Sequence, residues 1–138
     1  MNEKKKYMSV PLIKSVENIK NIENGKVQDV EQIYYNNINN LSNTKKLYAY
    51  KIKDNTMEPI MYKNDIVIFE KSERFSNNDI CIIKIANEEA IARRISRTNG
   101  IIFLEPLNRE YDITIYKEED LNKRIKIIGK VVTMIRDF

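Results

Sequence analysis

The chain contains no histidine among its 138 residues. Histidine general bases, serine–histidine–aspartate triads and the usual zinc sites are therefore excluded together. The segment Lys53-Asp54-Asn55-Thr56-Met57-Glu58-Pro59 carries a threonine hydroxyl in a polar, turn-forming context, and threonine becomes a nucleophile when a base takes its proton. The run Ala90-Ile91-Ala92-Arg93-Arg94-Ile95 places cations on an apolar stretch. Arginine cannot be that base: with a pKa above about 12, its neutral form at pH 7 is rarer than roughly one in 10⁵. A guanidinium donates hydrogen bonds and so positions a group without deprotonating it. Lysine can supply a neutral amine when buried, and in an enzyme reading with Thr56 as nucleophile Lys84 or Lys53 is the candidate base. Both residues singled out also have a plain structural reading. Thr56 can cap the helical turn that begins near Met57-Glu58-Pro59, and Arg93 can pair with a surface carboxylate such as Glu58.

A chain of this length holds one domain with its own core and is too short for two ordinary ones. Hydrophobic residues at 42% and charged residues at 32% describe a globular protein rather than a disordered one. No apolar run approaches the roughly 18 to 20 residues that span a bilayer, and Met1-Asn2-Glu3-Lys4-Lys5-Lys6 leads into no signal-peptide core, so a cytoplasmic protein without membrane contact is expected. No metal or cofactor is expected. The single cysteine, Cys81, lies in Ile80-Cys81-Ile82-Ile83 and reads as a buried structural thiol. The net charge of +4 permits contact with nucleic acid without demanding it, because 20 acidic residues are interspersed with 24 basic ones. Lys4-Lys5-Lys6 reads as a solvated terminus. Tyr34-Tyr35, Tyr48 and Tyr50 read as half-buried sheet surface rather than base-stacking platforms.

Texture divides the chain in two. Residues 1–46 are polar, rich in Asn and Lys, with isolated apolar positions; Val30, Ile33, Tyr34, Ile38 and Leu41 hint at a helix over 30–41. An extended arm laid on another surface is the preferred reading. Residues 47–138 form a β core of short runs at 47–53, 65–70, 80–86, 89–97, 101–105, 112–116 and 125–135. The first run alternates, with Tyr48, Tyr50 and Ile52 on one face. Turn-forming clusters separate these runs, and with only three glycines available, Asn64, Asn78 and Asn99 are expected to adopt the left-handed backbone that glycine usually supplies. Short strands at this spacing, with little helix between them, make a mainly β domain of mostly antiparallel strands.

In order along the chain, these segments resemble the C-terminal domain of the LexA/CI-type self-cleaving repressors, the S24 peptidase family. Asp54-Asn55-Thr56-Met57-Glu58-Pro59 is similar to its nucleophile motif Gly-Asp-Ser-Met-x-Pro, and the strand around Arg93 to the one bearing its general-base lysine. Further partial matches are Asn64-Asp65-Ile66-Val67-Ile68, Leu104-Glu105-Pro106-Leu107-Asn108 and Ile128-Gly129-Lys130-Val131-Val132. Asn64-Asp65 and Asn78-Asp79 stand where the family has Gly-Asp pairs. The resemblance runs from about Val10 to the C-terminus, and Thr56 and Arg93 are separated in sequence much as the family's serine and lysine are.

The resemblance implies a single domain of the LexA/signal-peptidase type with an N-terminal arm. It places Thr56 at the nucleophile position and Arg93 at the base position. Aligning Val10-Pro11-Leu12 with the family's similar apolar-Pro-Leu segment puts Asn18-Ile19 at the self-cleaved bond, where the family has Ala-Gly or Cys-Gly. A β-branched isoleucine would crowd that peptide. Nucleophile, base and bond all depart from the pattern, which implies lost self-cleavage and a non-enzymatic role. The implied role is a dimerising domain of a phage-like transcriptional repressor, with DNA read through an N-terminal domain absent from this chain. A regulatory protein partner is also implied, and Ile127, Val131 and Met134 on the last strand are candidate dimer contacts. Alternatives are an active self-processing Thr/Ser-type peptidase and a UmuD-like polymerase accessory subunit.

Overall fold

In the computed structural model, which describes residues 7–26, 29–36 and 46–136, every strand expected in the core is present, shifted by at most a few residues. In chain order the elements are β1 (Tyr7–Ile13), α1 (Glu17–Glu23), β2 (Gln32–Asn36), β3 (Leu47–Lys51), β4 (Ile66–Lys71), β5 (Asp79–Ile85), β6 (Ile91–Thr98), β7 (Ile101–Glu105), β8 (Thr114–Lys117) and β9 (Ile125–Ile135). One nine-stranded sheet runs β2-β1-β3-β4-β9-β5-β6-β7-β8. Its pairings are antiparallel except β1 with β3.

The arm is a strand, a short helix and a strand. Leu12 and Ile13 pair with Ala49 and Tyr50, so it joins the sheet directly. A helix over 30–41 is not found: Gln32–Asn36 is strand β2, and residues 37–41 lie outside the described residues, as do Lys4-Lys5-Lys6. The α-helix among the described residues is Glu17–Glu23. Seven residues are too few to hold a helix in water, and tertiary contacts hold this one. Ile19 is buried in the main core. Glu23 accepts from Tyr48 Oη at 3.0 Å and from Lys71 Nζ at 3.1 Å, and it ion-pairs with Lys46. Lys71 first, with Tyr48 and Lys46, holds the Glu23 carboxyl below the usual carboxylate range against the opposing effect of burial.

Alternation on β3 sorts the core as the sequence expects. Tyr48, Tyr50 and Ile52 pack on one face with Val67, Phe69 and Ile82; Ala49, between them, meets Val10, Tyr35 and Ile68 on the reverse. A third cluster joins Cys81, Ile83, Ile95, Ile102, Leu104, Ile125 and Ile127. Cys81 is the buried structural thiol expected, its pKa pushed up to about 12 by burial. Ile127 corrects an expectation: it is 3% exposed and faces this cluster, so its side chain is unavailable to a dimer partner. Asn64, Asn78 and Asn99 have φ of 78°, 73° and 51°, the left-handed conformation expected of them.

Strand β9 is shared by the two halves of the sheet, pairing with β5 through Ile125–Lys130 and with β4 through Gly129–Ile135. Each ladder slips by one residue, leaving Ile128 and Val132 as the extra residues of two bulges. Where the ladders overlap, a Cβ on Gly129 would stand 2.4 Å from the Glu70 carbonyl oxygen and 2.5 Å from Phe69 Cδ2. Just past the strand, Arg136 donates to both oxygens of buried Asp65 at 2.9 and 2.7 Å, and the Tyr62 N–H donates to the same carboxylate at 2.7 Å. Arg136 above all holds the Asp65 carboxyl below its ordinary pKa. This pins the loop between β3 and β4, whose neck is closed by Ile52 N–H to Asp65 O and Asn64 N–H to Ile52 O, both 2.8 Å.

Because neither Phe69 nor the β4 backbone can retreat, Gly129→Ala is expected to lower unfolding stability by about 1–3 kcal/mol, the usual cost of overpacking a filled core. Urea denaturation checks this, and an unchanged midpoint would contradict the close approach.

Candidate functional site

Thr56 sits in the pinned loop between β3 and β4, and Arg93 is the third residue of β6. The fold brings them together: Arg93 Nη1 donates to Thr56 Oγ1 at 2.7 Å and to its neighbour's carbonyl, Ala92 O, at 2.7 Å. Thr56 is 6% exposed. Its hydroxyl donates in turn to Asp54 Oδ1 at 2.6 Å, and the same oxygen accepts the Thr56 N–H at 3.1 Å. The result is a chain of charge-assisted bonds, guanidinium to hydroxyl to carboxylate.

Neither structural alternative holds. Asp54, not Thr56, accepts the free N–H at the start of the turn, and Arg93 points to Thr56 rather than Glu58. Asp54 is the residue that sequence reading missed. A signal was present: set against Gly-Asp-Ser-Met-x-Pro, Asn55 stands at the motif's aspartate and Asp54 at its glycine, so a carboxylate has moved one residue back. There it reaches the hydroxyl. The displaced position is also used, since Asn55 Oδ1 accepts from Tyr111 Oη at 2.6 Å. Asn108 closes the site from the segment after β7, donating from its N–H to Thr56 O at 3.0 Å and from Nδ2 to Asn55 O at 2.9 Å.

Burial lowers the Arg93 pKa, opposed chiefly by the Asp54 charge, and a guanidinium that starts above 12 remains cationic at neutral pH. The alternative bases are committed elsewhere. Lys53 Nζ donates to Glu89 Oε1 and Lys14 O, both at 3.2 Å; burial opposes its charge, but Glu89 and Tyr50 together hold its pKa above the ordinary lysine value. Lys84 is ion-paired with Glu17. Among the described residues the Thr56 hydroxyl bonds to Arg93 and Asp54, and no lysine amine is bonded to it.

The Asn18–Ile19 bond is not presented to Thr56 as an extended strand. Both residues belong to α1, Ile19 N–H donates to Val16 O at 3.2 Å, and Asn18 Oδ1 accepts the Ser15 N–H at 3.2 Å. Among the described residues no group of His, Cys, Asp and Glu is arranged to hold a metal ion, and no helix is long and apolar enough to cross a membrane.

Residues 11–132 match the family model described as Peptidase S24-like. The chain is 31% identical over 99 residues to the LexA repressor of Cereibacter sphaeroides, covering 71% of this chain and 42% of that protein. It is 27% identical over 138 residues to the LexA repressor of Clostridium perfringens, covering 99% and 64%. To the LexA repressor of Bartonella quintana it is 34% identical over 92 residues, covering 66% and 37%. It therefore spans less than two thirds of the length of each of these relatives.

Removing the carboxylate leaves the Thr56 N–H and hydroxyl without their acceptor and Arg93 without its nearest anion. Asp54→Ala is expected to lower stability by about 1–3 kcal/mol, the cost of unpaired groups in a partly buried site. An unchanged denaturation midpoint would show that the chain of bonds contributes nothing.

Proposed function

The chain belongs to the Peptidase S24-like family, and from that premise we propose that it is the oligomerisation and regulatory domain of a phage-like transcriptional repressor that does not cleave itself. The observation that carries this reading is the 2.7 Å bond from Arg93 to Thr56. At the position of the family's base stands a permanent cation that donates to the hydroxyl, whereas catalysis needs a neutral amine that accepts from it. Thr56 and Arg93 are then positional remnants of a dyad, and Asn18-Ile19 of a cleavage segment now wound into α1.

The mechanism is indirect. DNA contact comes from a domain outside this chain, and joining two such domains turns two weak half-site contacts into one tight event by raising effective concentration. Strand β9 supports the joining role. Among the described residues it has no partner on its β5 side beyond Lys130, so the backbone from Val131 to Ile135 is open along one edge; Val131 and Met134 pack against the main core while keeping part of their surface exposed. Such an edge associates with an equivalent strand. A regulatory protein that acts on the arm or on this edge would modulate the assembly.

The purified chain is expected to stay intact at alkaline pH, conditions that deprotonate lysine and would favour a Ser-Lys mechanism. Mass spectrometry revealing a time-dependent cut near residue 18 would overturn the non-cleaving reading. Separately, Met134→Asp or Val131→Asp, each of which also removes a contact with the main core, is expected to convert a dimer to a monomer with some loss of stability but the fold retained by circular dichroism. Light scattering on the wild type that stays at monomer mass to high micromolar concentration would remove the oligomerisation role.

A further inference from the structure

Six large apolar side chains are exposed among the described residues, and three of them, Tyr111 at 43%, Ile113 at 50% and Ile115 at 61%, fall at alternate positions in one five-residue stretch. That stretch runs into β8, the last strand of the sheet, which pairs only with β7. Among the described residues the other side of β8 is an open edge. Which backbone groups face it follows from the ladder. Glu118 N–H donates to Gly100 O, so with Tyr116 opposite Ile102 and Thr114 opposite Leu104 the even-numbered residues bond inward to β7 and Ile115 and Lys117 face outward. The Lys117 N–H is already taken by Asp120 Oδ2 at 2.9 Å. Ile115 and, just ahead of the strand, Ile113 are left to offer donors and acceptors to a newcomer.

We propose that this edge is a self-association site at which two copies of the chain pair antiparallel about Thr114, independently of β9. A two-fold axis through that residue sets Ile113 opposite Ile115 of the second copy, and Ile115 opposite Ile113. Both pairs use the outward-facing backbone groups, so the two strands exchange hydrogen bonds at both positions while the exposed isoleucines cover each other. In the same register Tyr111 falls opposite Lys117 of the second copy, a ring facing an ammonium. Moving the axis to Ile115 would set Ile113 against Lys117, whose N–H is occupied, and Asp112 against Glu118, two like charges. The sequence is thus self-complementary in one register and not in the next. Tyr111 also bonds to Asn55 beside Thr56, so the edge is braced by the candidate site.

The register makes a sharp test. At the axis Thr114 meets its own counterpart in a non-hydrogen-bonded pair, with Cα atoms about 4.5 Å apart, inside the range a disulfide spans. The same residue one step along, Ile113, lies opposite position 115 and cannot bridge to itself. Thr114→Cys is expected to form a disulfide-linked dimer under mild oxidation roughly tenfold faster than Ile113→Cys. Native Cys81 is fully buried and does not compete. The pair is run again with Met134→Asp added, so that failure of the β9 dimer is distinguishable; the preference for position 114 is expected to persist. Equal rates at the two positions, or no linked dimer from Thr114→Cys in either background, overturn the proposal.

Discussion

Strand β9 has to touch two neighbours that diverge from each other, and the fold depends on its doing so. Gly129 is the point of closest approach, pairing with Ile82 of β5 on one side and Lys71 of β4 on the other, with the Glu70 carbonyl and the Phe69 ring where a side chain would be. Bulges at Ile128 and Val132 flank it, each adding local twist. The strand can therefore leave β5 and follow β4, which lets one sheet serve three packed clusters. The loop that holds Thr56 emerges between β3 and β4, while Arg93 comes from β6 beyond β5. Strand β9 joins the two halves of the sheet that carry these residues, and the bonds from Asn108 to Thr56 O and from Tyr50 Oη to Ala90 O tie them further.

Once Arg93 lies against that loop, its charge dictates the rest of the site. A partly buried guanidinium needs oxygen acceptors, and the Thr56 hydroxyl and Ala92 carbonyl serve. A hydroxyl that accepts from a cation gives its proton most readily to an anion, and Asp54 supplies one at 2.6 Å. The proton is thereby oriented away from any attacking path through Arg93. Lysine in the same place would be a compact ammonium able to lose a proton when desolvated, whereas arginine keeps its charge through the same burial. The difference between a base and a clamp rests on that one side chain.

The β core was legible because its signals are local. Alternation on β3 put Tyr48, Tyr50 and Ile52 on one face, and turn chemistry alone assigned left-handed backbone to Asn64, Asn78 and Asn99. The meeting of Thr56 and Arg93 came from family resemblance; no spacing rule brings residues 37 apart into contact. What stayed hidden is what tertiary contacts decide. Helix α1 carries no capping side chain and is held by Ile19 and Glu23 from outside. Strand β2 became visible only through its pairing with β1. Asp54 was overlooked because its importance lies in reaching Thr56, a two-residue geometry that a motif written in letters does not convey. Ile127 looked like a surface contact because alternation along β9 is broken by the bulges, which shift the residues on either side to different faces.

On the proposed reading, a site that binds its own hydroxyl this tightly has exchanged reactivity for rigidity. Asp54, Asn55, Thr56, Asn108 and Tyr111 form one connected set of bonds, reaching from the β3–β4 loop to the segment that becomes β8. Such a set stiffens both segments, and a stiff edge loses less conformational entropy when a second chain pairs with it than a mobile one does. In an active peptidase the same atoms must stay free to exchange protons and admit a peptide. Here they bond to one another, and on the proposed reading the residues at the dyad positions hold the loop and the edge strand in place. On this view the functional surfaces of the domain are the open backbone edges at β8 and β9.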